Sequence, residues 1–462
     1  MKAQLIACRP VRLAAFLLIL FAWPRFRAES SEAGLARLDF REVVRESKDK
    51  VFPTLLFIKG VREGMEHGRK DSREVAGSGV LISACGEALT NWHVVDRARD
   101  IRCMLYDGRA FDAVLVGSDK DTDLALLRLQ LPEGTPPLPY ARLGDSNRAT
   151  EGDFVMAMGA PWGLSRSVSI GIVSCARRYL PGRSEYSLWL QTDASISPGN
   201  SGGPLINTDG EIVGISALGV LIGGDTGFAI PSAVIADILP AMREHGSVHW
   251  TWTGLDLQPL RDFNRNVYFE WDTGVMIAGT APESPARRAG IATGDRLLTV
   301  NGKPLVALGE EDLPDIRRLL GLLPADKPAR FEFMRQAKRL EIELVPLAKG
   351  QVEGEELDCP RWDFTAKAIN RFDNPDLFFH RQQGVFVYGI KRPGNAANSG
   401  LAQRDILLRI GDREINDLDD VRQAHTDALA GLPGTHRVLI SVLRNGRMHQ
   451  LVLDYSRDFQ RK

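Results

Sequence analysis

The sequence predicts a mainly β protein in which a double β-barrel is followed by two small α+β domains. The first observation is a series of short apolar runs over residues 53–240, separated by Gly, Asp and Asn turns, as in an all-β pair of barrels. The second is a pattern that occurs twice in the C-terminal half, which indicates two copies of one small domain. A chain of 462 residues has room for about three such domains.

The N-terminal segment predicts export. Lys2, Arg9 and Arg12 precede an uninterrupted apolar run over residues 13–23. This run is well under the ~20 residues that span a bilayer, so residues 1–28 are predicted to be a signal peptide. An uncleaved membrane anchor is the alternative, and both interpretations export the rest of the chain.

Residues 38–243 are predicted to form the double barrel. Apolar side chains at Phe40, Val43 and Val51, with charges between them, predict a short amphipathic helix over residues 40–51 at its start. The polar, charged segment 60–77 is predicted to be an exposed loop between two strands.

A glycine-rich stretch around one serine is the strongest local signal of chemistry. Gly199, Gly202 and Gly203 surround Ser201 in the sequence Ser-Pro-Gly-Asn-Ser-Gly-Gly-Pro-Leu. Glycine lets the backbone turn tightly and lets a substrate approach closely. The stretch alone also suits an ordinary loop, because a serine is a weak nucleophile without a base beside it.

A histidine and an aspartate lie upstream in suitable contexts. His93 stands in Thr-Asn-Trp-His-Val-Val and Asp123 in Thr-Asp-Leu-Ala-Leu, each next to a strand-like run. Taken singly, His93 suits a surface or core histidine and Asp123 a turn residue. Together with Ser201 they follow the order His, Asp, Ser of the two-barrel, chymotrypsin-like architecture. The sequence therefore predicts Ser201 as nucleophile, His93 as base and Asp123 as the residue that orients the imidazole.

These three segments resemble the signature segments of the HtrA (DegP-like) serine proteases in residues, order and spacing, and the resemblance runs from about residue 38 to the C-terminus. It implies an endopeptidase that needs no cofactor, lies in the periplasm or cell envelope, and degrades unfolded or damaged proteins. It also implies a homotrimer or a multiple of trimers, with Phe40 as a candidate contact. The oxyanion hole is predicted at Gly199, Asn200 and Ser201, with the N–H groups of Gly199 and Ser201 as donors.

The specificity pocket is predicted from the residue six positions before the nucleophile. In chymotrypsin-like enzymes an acidic residue there selects Lys or Arg, whereas this chain has the neutral Ser195. Ile196 and the strand residues Ile215, Ser216 and Ala217 are predicted to form the pocket walls. We therefore expect cleavage after small or medium aliphatic residues.

The two C-terminal copies resemble PDZ domains, which bind an extended peptide as an added strand. They are predicted at residues 250–347 and 361–457, with a solvated, acidic linker at residues 348–360. In the first copy the candidate peptide-binding residues are Gly254, Leu255, Asp256 and Leu257.

The second copy differs from the first in two places that matter for peptide binding. At the offset of the candidate loop it has residues 362–365, which contain no glycine, and it has Arg404 where the first copy has Gly294. Peptide binding by the second copy is therefore in doubt, and a spacer or an oligomer contact is the alternative role.

Composition excludes other classes. Lys plus Arg (58) nearly balance Asp plus Glu (59), so no basic excess points to nucleic acid. The sequence has no phosphate-binding Gly-x4-Gly-Lys-Ser/Thr motif, which fits independence from ATP. The cysteines have no metal-ligand spacing and His245 and His249 have no third ligand beside them, so no metal is expected. Cys85 and Cys103 are predicted to lie on neighbouring strands of the first barrel, so that pairing between them stays open.

Two alternatives to a protease that degrades unfolded proteins remain. One is a peptide-binding or chaperone protein that uses its PDZ-like domains and hydrolyses little, against which the complete triad argues. The other is a regulatory protease with one specific substrate, which the second PDZ-like copy makes the weaker choice.

Overall fold

Twelve strands close into two barrels, as the sequence predicts. The computed structural model describes residues 39–66, 69–160, 167–197, 199–220, 226–264, 271–350, 354–371 and 373–459. The predicted signal peptide lies outside these residues. The first barrel has the strand order β1-β2-β3-β6-β5-β4 and the second β10-β11-β12-β9-β8-β7, each closed by antiparallel pairing. Their bounds are β1 (Leu55–Glu66), β2 (Arg69–Leu81), β3 (Glu87–Asn91), β4 (Ala98–Met104), β5 (Ala110–Asp119), β6 (Leu124–Leu129), β7 (Phe154–Gly159), β8 (Ser167–Arg178), β9 (Trp189–Thr192), β10 (Pro204–Ile206), β11 (Ile212–Val220) and β12 (Thr226–Pro231).

Among the residues that the structure describes, three α-helices accompany the barrels: α1 (Phe40–Val51), α2 (Trp92–Val95) and α3 (Ser232–His245). The bounds of α1 confirm the predicted amphipathic helix, and the Asp39 carboxylate caps it by accepting a hydrogen bond from the Arg41 N–H. The prediction of an exposed loop over residues 60–77 is wrong in extent. Strands β1 and β2 continue as a paired hairpin with Glu66 opposite Arg69, because the regular backbone ladder forms regardless of the polarity of the side chains.

Three cores organise the protease half. One fills the first barrel, a second fills the other barrel, and the largest lies between the two barrels and α3. Strand β6 shows how the pattern arises. Leu124 and Leu126 face the central core, and Ala125 and Leu127 face the interior of the first barrel, because successive side chains of a strand point to opposite sides. This arrangement places the ends of β3, β6 and the turn before β10 at the junction of the barrels.

None of the cysteines in the described residues forms a disulfide bond. Cys85 lies in the turn between β2 and β3 and is exposed, and Cys103 on β4 is buried. The placement of both on neighbouring strands is therefore wrong. Burial raises the pKa of Cys103 to about 12, which makes its thiol inert as a nucleophile.

The C-terminal half contains two sheets of the same plan. In the first, the strands follow the order β14-β15-β16-β18-β19, with β17 beside β16 and the pair β13-β20 separate. In the second, the order is β21-β22-β23-β24-β26-β27, with β25 beside β24. The predicted order of strand, short helix, strand, longer helix and closing strand is confirmed in both copies.

The elements of the first copy are β13 (Thr251–Trp252), β14 (Leu255–Gln258), α4 (Arg261–Asn264), β15 (Val275–Thr280), α5 (Pro285–Arg288), β16 (Arg296–Val300), β17 (Lys303–Pro304), α6 (Leu313–Gly321), β18 (Ala329–Arg335), β19 (Lys338–Leu344) and β20 (Leu347–Ala348). Those of the second are β21 (Glu356–Cys359), β22 (Phe364–Ala368), α7 (Pro375–His380), β23 (Val385–Ile390), α8 (Asn395–Asn398), β24 (Ile406–Ile410), β25 (Arg413–Glu414), α9 (Leu418–Ala430), β26 (Arg437–Arg444) and β27 (Arg447–Asp454).

The connection between the two copies is not a solvated loop throughout, which corrects the prediction for residues 348–360. Residues 356–359 form the edge strand β21, in which Cys359 is fully buried. The acidic composition concealed this strand because only Leu357 and Cys359 carry its apolar contacts. In the described part of the chain no helix has both the length and the apolar character needed to cross a bilayer.

Candidate active site

Asp123 and His93 are held together by main-chain as well as side-chain contacts. His93 lies on α2, directly after β3, and Asp123 lies in the turn before β6. The Asp123 carboxylate is 2.8 Å from the His93 ring Nδ1 and accepts a hydrogen bond of 3.0 Å from the His93 main-chain N–H. The Asp123 carbonyl accepts from the Asn91 side chain at 3.1 Å and from the Trp92 N–H at 3.0 Å. The carboxylate is therefore fixed at the side of the imidazole that faces away from a substrate.

Ser201 lies in a tight turn just before β10, where the two barrels meet. Gly202 has a φ of 85°, which favours glycine, and a Cβ on it would clash with the Ser78 carbonyl oxygen. The Gly202 N–H donates to the Ser216 carbonyl at 2.8 Å, and the Gly203 carbonyl accepts from the Ser216 N–H at 2.9 Å. The glycines thus allow the nucleophile's turn to lie directly against strand β11.

Ser78 joins this turn to the first barrel, a role that its sequence context does not signal. Its main-chain N–H donates to the Ser201 carbonyl at 2.8 Å, and its hydroxyl donates to the Gly199 carbonyl at 2.6 Å. The same hydroxyl accepts from the Ala160 N–H at 2.9 Å. Ser78 is fully buried on β2.

The predicted oxyanion-hole residues differ in what their N–H groups do. The Asn200 N–H donates to the Ser197 carbonyl at 2.9 Å, and its buried side-chain oxygen accepts from the Ser167 hydroxyl at 3.4 Å. Asn200 therefore supports the turn from inside. The N–H groups of Gly199 and Ser201 are the candidate donors to an oxyanion.

The Ser201 hydroxyl lies 3.4 Å from the Ala217 carbonyl on β11. Among the residues that the structure describes, this carbonyl is its one hydrogen-bond partner. At this distance the bond is weak, and among the described residues no hydrogen bond joins the Ser201 hydroxyl to His93.

A cleft of about 550 Å³ lies beside the pair of His93 and Asp123. His93, Asp123 and Ala217 line it, as do residues that the sequence analysis did not single out: Trp92, Lys120, Arg183, Glu185, Trp189 and Leu218. Trp92 precedes His93 in the sequence and Trp189 lies on β9. Only the folded chain brings these two tryptophans to one cleft.

The predicted specificity residues lie either in the segment after β9 or on strand β11. Ser195 and Ile196 follow β9, and the Ser195 N–H donates to the Ser169 hydroxyl at 2.9 Å. The side chain of Ile196 lies against Gly227 on β12, where an added Cβ would be 2.6 Å from its Cδ1. Ile215 is fully buried in the central core, so it supports the strand rather than facing the cleft.

Ser216 and Ala217 complete the predicted set. The Ser216 hydroxyl is buried, with no hydrogen-bond partner among the described residues. Ala217 lines the cleft and supplies the carbonyl that faces Ser201. The β11 residues that line the cleft are therefore Ala217 and Leu218.

The first PDZ-like copy leaves its candidate peptide-binding strand at the edge of the sheet. Gly254 has a φ of 77° and directly precedes β14, which contains Leu255, Asp256 and Leu257. Strand β14 pairs with β15 on one side and ends the sheet on the other. An edge of this kind can accept a peptide as an added strand.

The second copy has its corresponding edge covered by the chain itself. Asp363, with a φ of 60°, takes the place of Gly254. The correspondence between the two copies at this loop therefore differs by one residue from the one predicted from the sequence. Strand β21 pairs antiparallel with β22, with Glu356 opposite Lys367 and Cys359 opposite Phe364. Helix α9 packs against both strands.

Comparisons with known proteins agree with this architecture. Residues 77–215 match the family model of the trypsin-like peptidase domain, and residues 276–334 match that of the PDZ domain. The chain is 33% identical over 392 residues to a protein of Pseudomonas fulva (strain 12-X) described as a probable periplasmic serine endoprotease, DegP-like, and the match covers 82% of this chain and 79% of that protein. A protein of Halomonas elongata with the same description is 32% identical over 396 residues, with coverage of 84% and 80%.

Solved structures give the same result. The structure titled HtrA-type protease AlgW with tripeptide aligns with a TM-score of 0.57 at 30% identity, and covers 66% of this chain and 96% of its own. Sequence, fold and homologues agree on the family. The chain belongs to the HtrA (DegP-like) family of serine endoproteases.

Proposed function

We propose that this protein is an ATP-independent endopeptidase of the periplasm that degrades unfolded or damaged proteins through Ser201, His93 and Asp123. The observation that carries the proposal is the 2.8 Å contact between the His93 imidazole and the Asp123 carboxylate. It is joined by a serine whose glycine-rich turn is hydrogen-bonded to the first barrel. The periplasmic location follows the names of the relatives and the predicted signal peptide.

The mechanism follows from the positions of the groups. With Nδ1–H donating to Asp123, the other ring nitrogen of His93 is free to accept the Ser201 proton. Ser201 Oγ then attacks the peptide carbonyl, and His93 returns the proton to the leaving amine. The developing oxyanion is stabilised by the N–H groups of Gly199 and Ser201, and one such donor contributes about 3–4 kcal/mol. The bond from Ser201 to the Ala217 carbonyl suits a resting state that substrate binding breaks.

Cleavage after small or medium aliphatic residues is proposed from the packing of Ile196. Its side chain lies against Gly227 on β12 and so occupies space that a long substrate side chain would need beside this strand. Ser195 adds no charge that would attract Lys or Arg. A pocket of this type discriminates by about 1–3 kcal/mol for each methylene group.

The first PDZ-like domain is proposed to bind peptide C-termini along β14, next to Gly254. The open edge of that strand supports this role, as does the presence of a peptide in the HtrA-type neighbour structure. By binding an exposed C-terminus, the domain would select that chain for degradation.

A homotrimer, or a multiple of trimers, is proposed with Phe40 in its contact. The Phe40 ring packs 4.5 Å from the ring of Phe154, and both side chains are 40% or more exposed. Two adjacent exposed aromatic rings are typical of a contact surface. Light scattering on the Phe40→Ala and wild-type proteins tests it, and an unchanged mass would contradict the role of Phe40.

The function is tested by digesting one substrate in two states without nucleotide. Reduced, alkylated lysozyme and native lysozyme are each incubated with the mature protein and with Ser201→Ala. We expect rapid fragmentation of the unfolded form alone, with new C-termini that are mainly Val, Ala or Ile. Binding of the unfolded form without fragmentation would favour the peptide-binding or chaperone alternative. Cleavage of neither form, but of one folded partner, would favour the regulatory alternative.

A further inference from the structure

The turn that carries Asp123 is tied to a residue outside the barrels. The buried carboxylate of Asp119 accepts hydrogen bonds from the Thr122 N–H at 2.9 Å and from the Thr122 hydroxyl at 2.7 Å. Its other oxygen accepts from the indole N–H of Trp250 at 2.8 Å. Burial raises the pKa of Asp119 to about 6, and the hydrogen bonds from Thr122 and Trp250 oppose that rise. Asp119 thus links the turn of residues 119–123 to Trp250.

Trp250 is fixed between the protease and the first PDZ-like domain. It is 4% exposed, and its ring stacks on that of Tyr186 with centroids 4.1 Å apart and planes 9° apart. Gly321 at the end of α6 lies beside this stack, where an added Cβ would be 2.7 Å from the indole ring and 3.2 Å from the Tyr186 ring. The indole N–H therefore has little freedom to leave Asp119.

A second contact reaches the same turn from the other end of the PDZ-like domain. The Lys349 ammonium donates to the Asp121 carboxylate at 3.0 Å and lies 4.6 Å from the centre of the Tyr186 ring. Lys349 and Asp121 are 9% and 14% exposed, respectively, so water screens their contact little. The Lys349 N–H also donates to the Trp250 carbonyl at 2.8 Å. The chain entering the domain and the chain leaving it are thereby joined where both contact the turn.

We propose that Trp250 and Lys349 are positioning residues for Asp123 and that they act through Asp119 and Asp121. This inference rests on the proposed triad. Asp123 has a φ of 57°, and its N–H donates to the Lys120 carbonyl at 3.1 Å, so its conformation belongs to the turn as a whole. A shift of about 1 Å in a catalytic group can reduce the rate by about 10²-fold. The two contacts keep the carboxylate within hydrogen-bond distance of His93.

The test uses the mature full chain and a short chromogenic peptide with Val at the cleavage site. Trp250→Phe keeps a ring for the stack and removes the N–H donor. Lys349→Met keeps the length of the side chain and removes the charge. We expect each variant to lower kcat about 10-fold with KM changed less than twofold, and Lys349→Arg to recover most of the loss. Because both contacts act on one turn, we expect the double variant to lose less than the product of the single losses.

Two further readouts separate positioning from general destabilisation. We expect the acidic limb of the pH profile of kcat/KM to move to lower pH in Trp250→Phe, which changes no charge, because a displaced carboxylate stabilises the imidazolium less. A smaller active fraction would leave the limb in place. Thr251→Val is the matched control, since its hydroxyl donates to the Leu320 carbonyl at 3.0 Å and contacts PDZ-like residues instead of the turn. We expect wild-type kcat from it.

Wild-type kcat and pH profile in both Trp250→Phe and Lys349→Met would overturn the proposal. The proposal would also be overturned if Thr251→Val lost as much kcat as the other two variants and the acidic limb did not move. That result would show a general structural effect of substitutions between the protease and the first PDZ-like domain. Asp123→Asn distinguishes the two levels of the argument. If Asp123→Asn retains wild-type kcat, the proposed triad is wrong. If Asp123→Asn loses most of its kcat while Trp250→Phe and Lys349→Met lose none, only the positioning role is rejected.

Discussion

The hydroxyl of Ser78 donates a hydrogen bond of 2.6 Å to the carbonyl oxygen of Gly199. Ser78 belongs to the first barrel, which also carries His93, and Gly199 belongs to the turn of the nucleophile in the second barrel. The bond turns the Gly199 carbonyl toward the first barrel and leaves the N–H side of the turn for an oxyanion. The placement of the proposed base relative to the proposed nucleophile therefore depends on a serine outside the proposed triad.

Ser78→Ala should lower kcat about 10-fold or more and the free energy of unfolding by about 1–2 kcal/mol, because the Gly199 carbonyl and the Ala160 N–H lose a buried partner. Peptide hydrolysis and urea unfolding measure the two effects. Ser146→Ala is the matched control, since its buried hydroxyl accepts from the Ala233 N–H far from the cleft. Equal kcat in the two variants would reject a role for Ser78 in placing the turn.

Ile196→Ala should widen the specificity pocket. Removal of the side chain that lies against Gly227 leaves space for a longer residue, so cleavage after Leu or Met should rise relative to Val by about 10-fold, or about 1–3 kcal/mol for each accommodated methylene group. Sequencing of casein fragments measures the ratio. Val155→Ala, a truncation in the same barrel core, is the control. An unchanged Leu-to-Val ratio in Ile196→Ala would remove Ile196 from the pocket.

Only the first PDZ-like domain should accept a peptide at its candidate strand. A photoreactive peptide with an apolar C-terminus should label residues around β14 of Ser201→Ala and leave the region around β22 unlabelled, because β21 already pairs with β22. Mass spectrometry locates the label, and an excess of unmodified peptide shows that it is specific. Labelling of both copies at one peptide concentration would mean that β21 is readily displaced.

Acidification should weaken the second PDZ-like domain through His425. The ring is 9% exposed and packs edge-on against Trp362 with centroids 4.8 Å apart, and its Nε2 has no hydrogen-bond partner among the described residues. Burial lowers the pKa of His425 from 6.5 to about 4. The unfolded chain therefore binds a proton that the folded domain resists, so stability is full above pH 6.5 and falls between pH 6.5 and 4.

The expected loss over that pH range is on the order of 1–2 kcal/mol, after allowance for partial access of solvent to the ring. Hydrogen exchange of the α9 amides in the full chain, corrected for intrinsic rates, measures it at pH 7.5 and 4.5. His425→Phe should remove this component of the pH dependence, and His449→Phe on β27, where the residue is exposed, should retain it. An identical pH response in wild type and His425→Phe would contradict the assignment.

Much of the fold follows from local sequence. The alternation in β6, the caps and apolar stripe of α1, and the repeated strand–helix pattern each result from contacts within a short segment, so the sequence predicts them. His93, Asp123 and Ser201 are predicted from the sequence because each lies in a distinctive local context and together they follow a known order.

Other features depend on contacts between residues far apart in the chain. Ser78 meets Gly199 across the two barrels, and Trp250 meets Asp119 from the next domain. Strand β21 forms despite its acidic composition because β22 and α9 supply its partners. None of these residues differs by type or spacing from an ordinary strand or linker residue, so the sequence alone could not identify them.

The account depends most directly on Ser201 as the nucleophile. The decisive measurement is the rate of casein degradation by the mature protein, by Ser201→Ala and by Ser197→Ala, each with and without a peptide that has an apolar C-terminus. Ser197 is exposed in the same turn. We predict that Ser201→Ala lowers the rate by on the order of 10⁶-fold and that Ser197→Ala stays within a few-fold of wild type. Comparable degradation by Ser201→Ala and wild type would contradict the account.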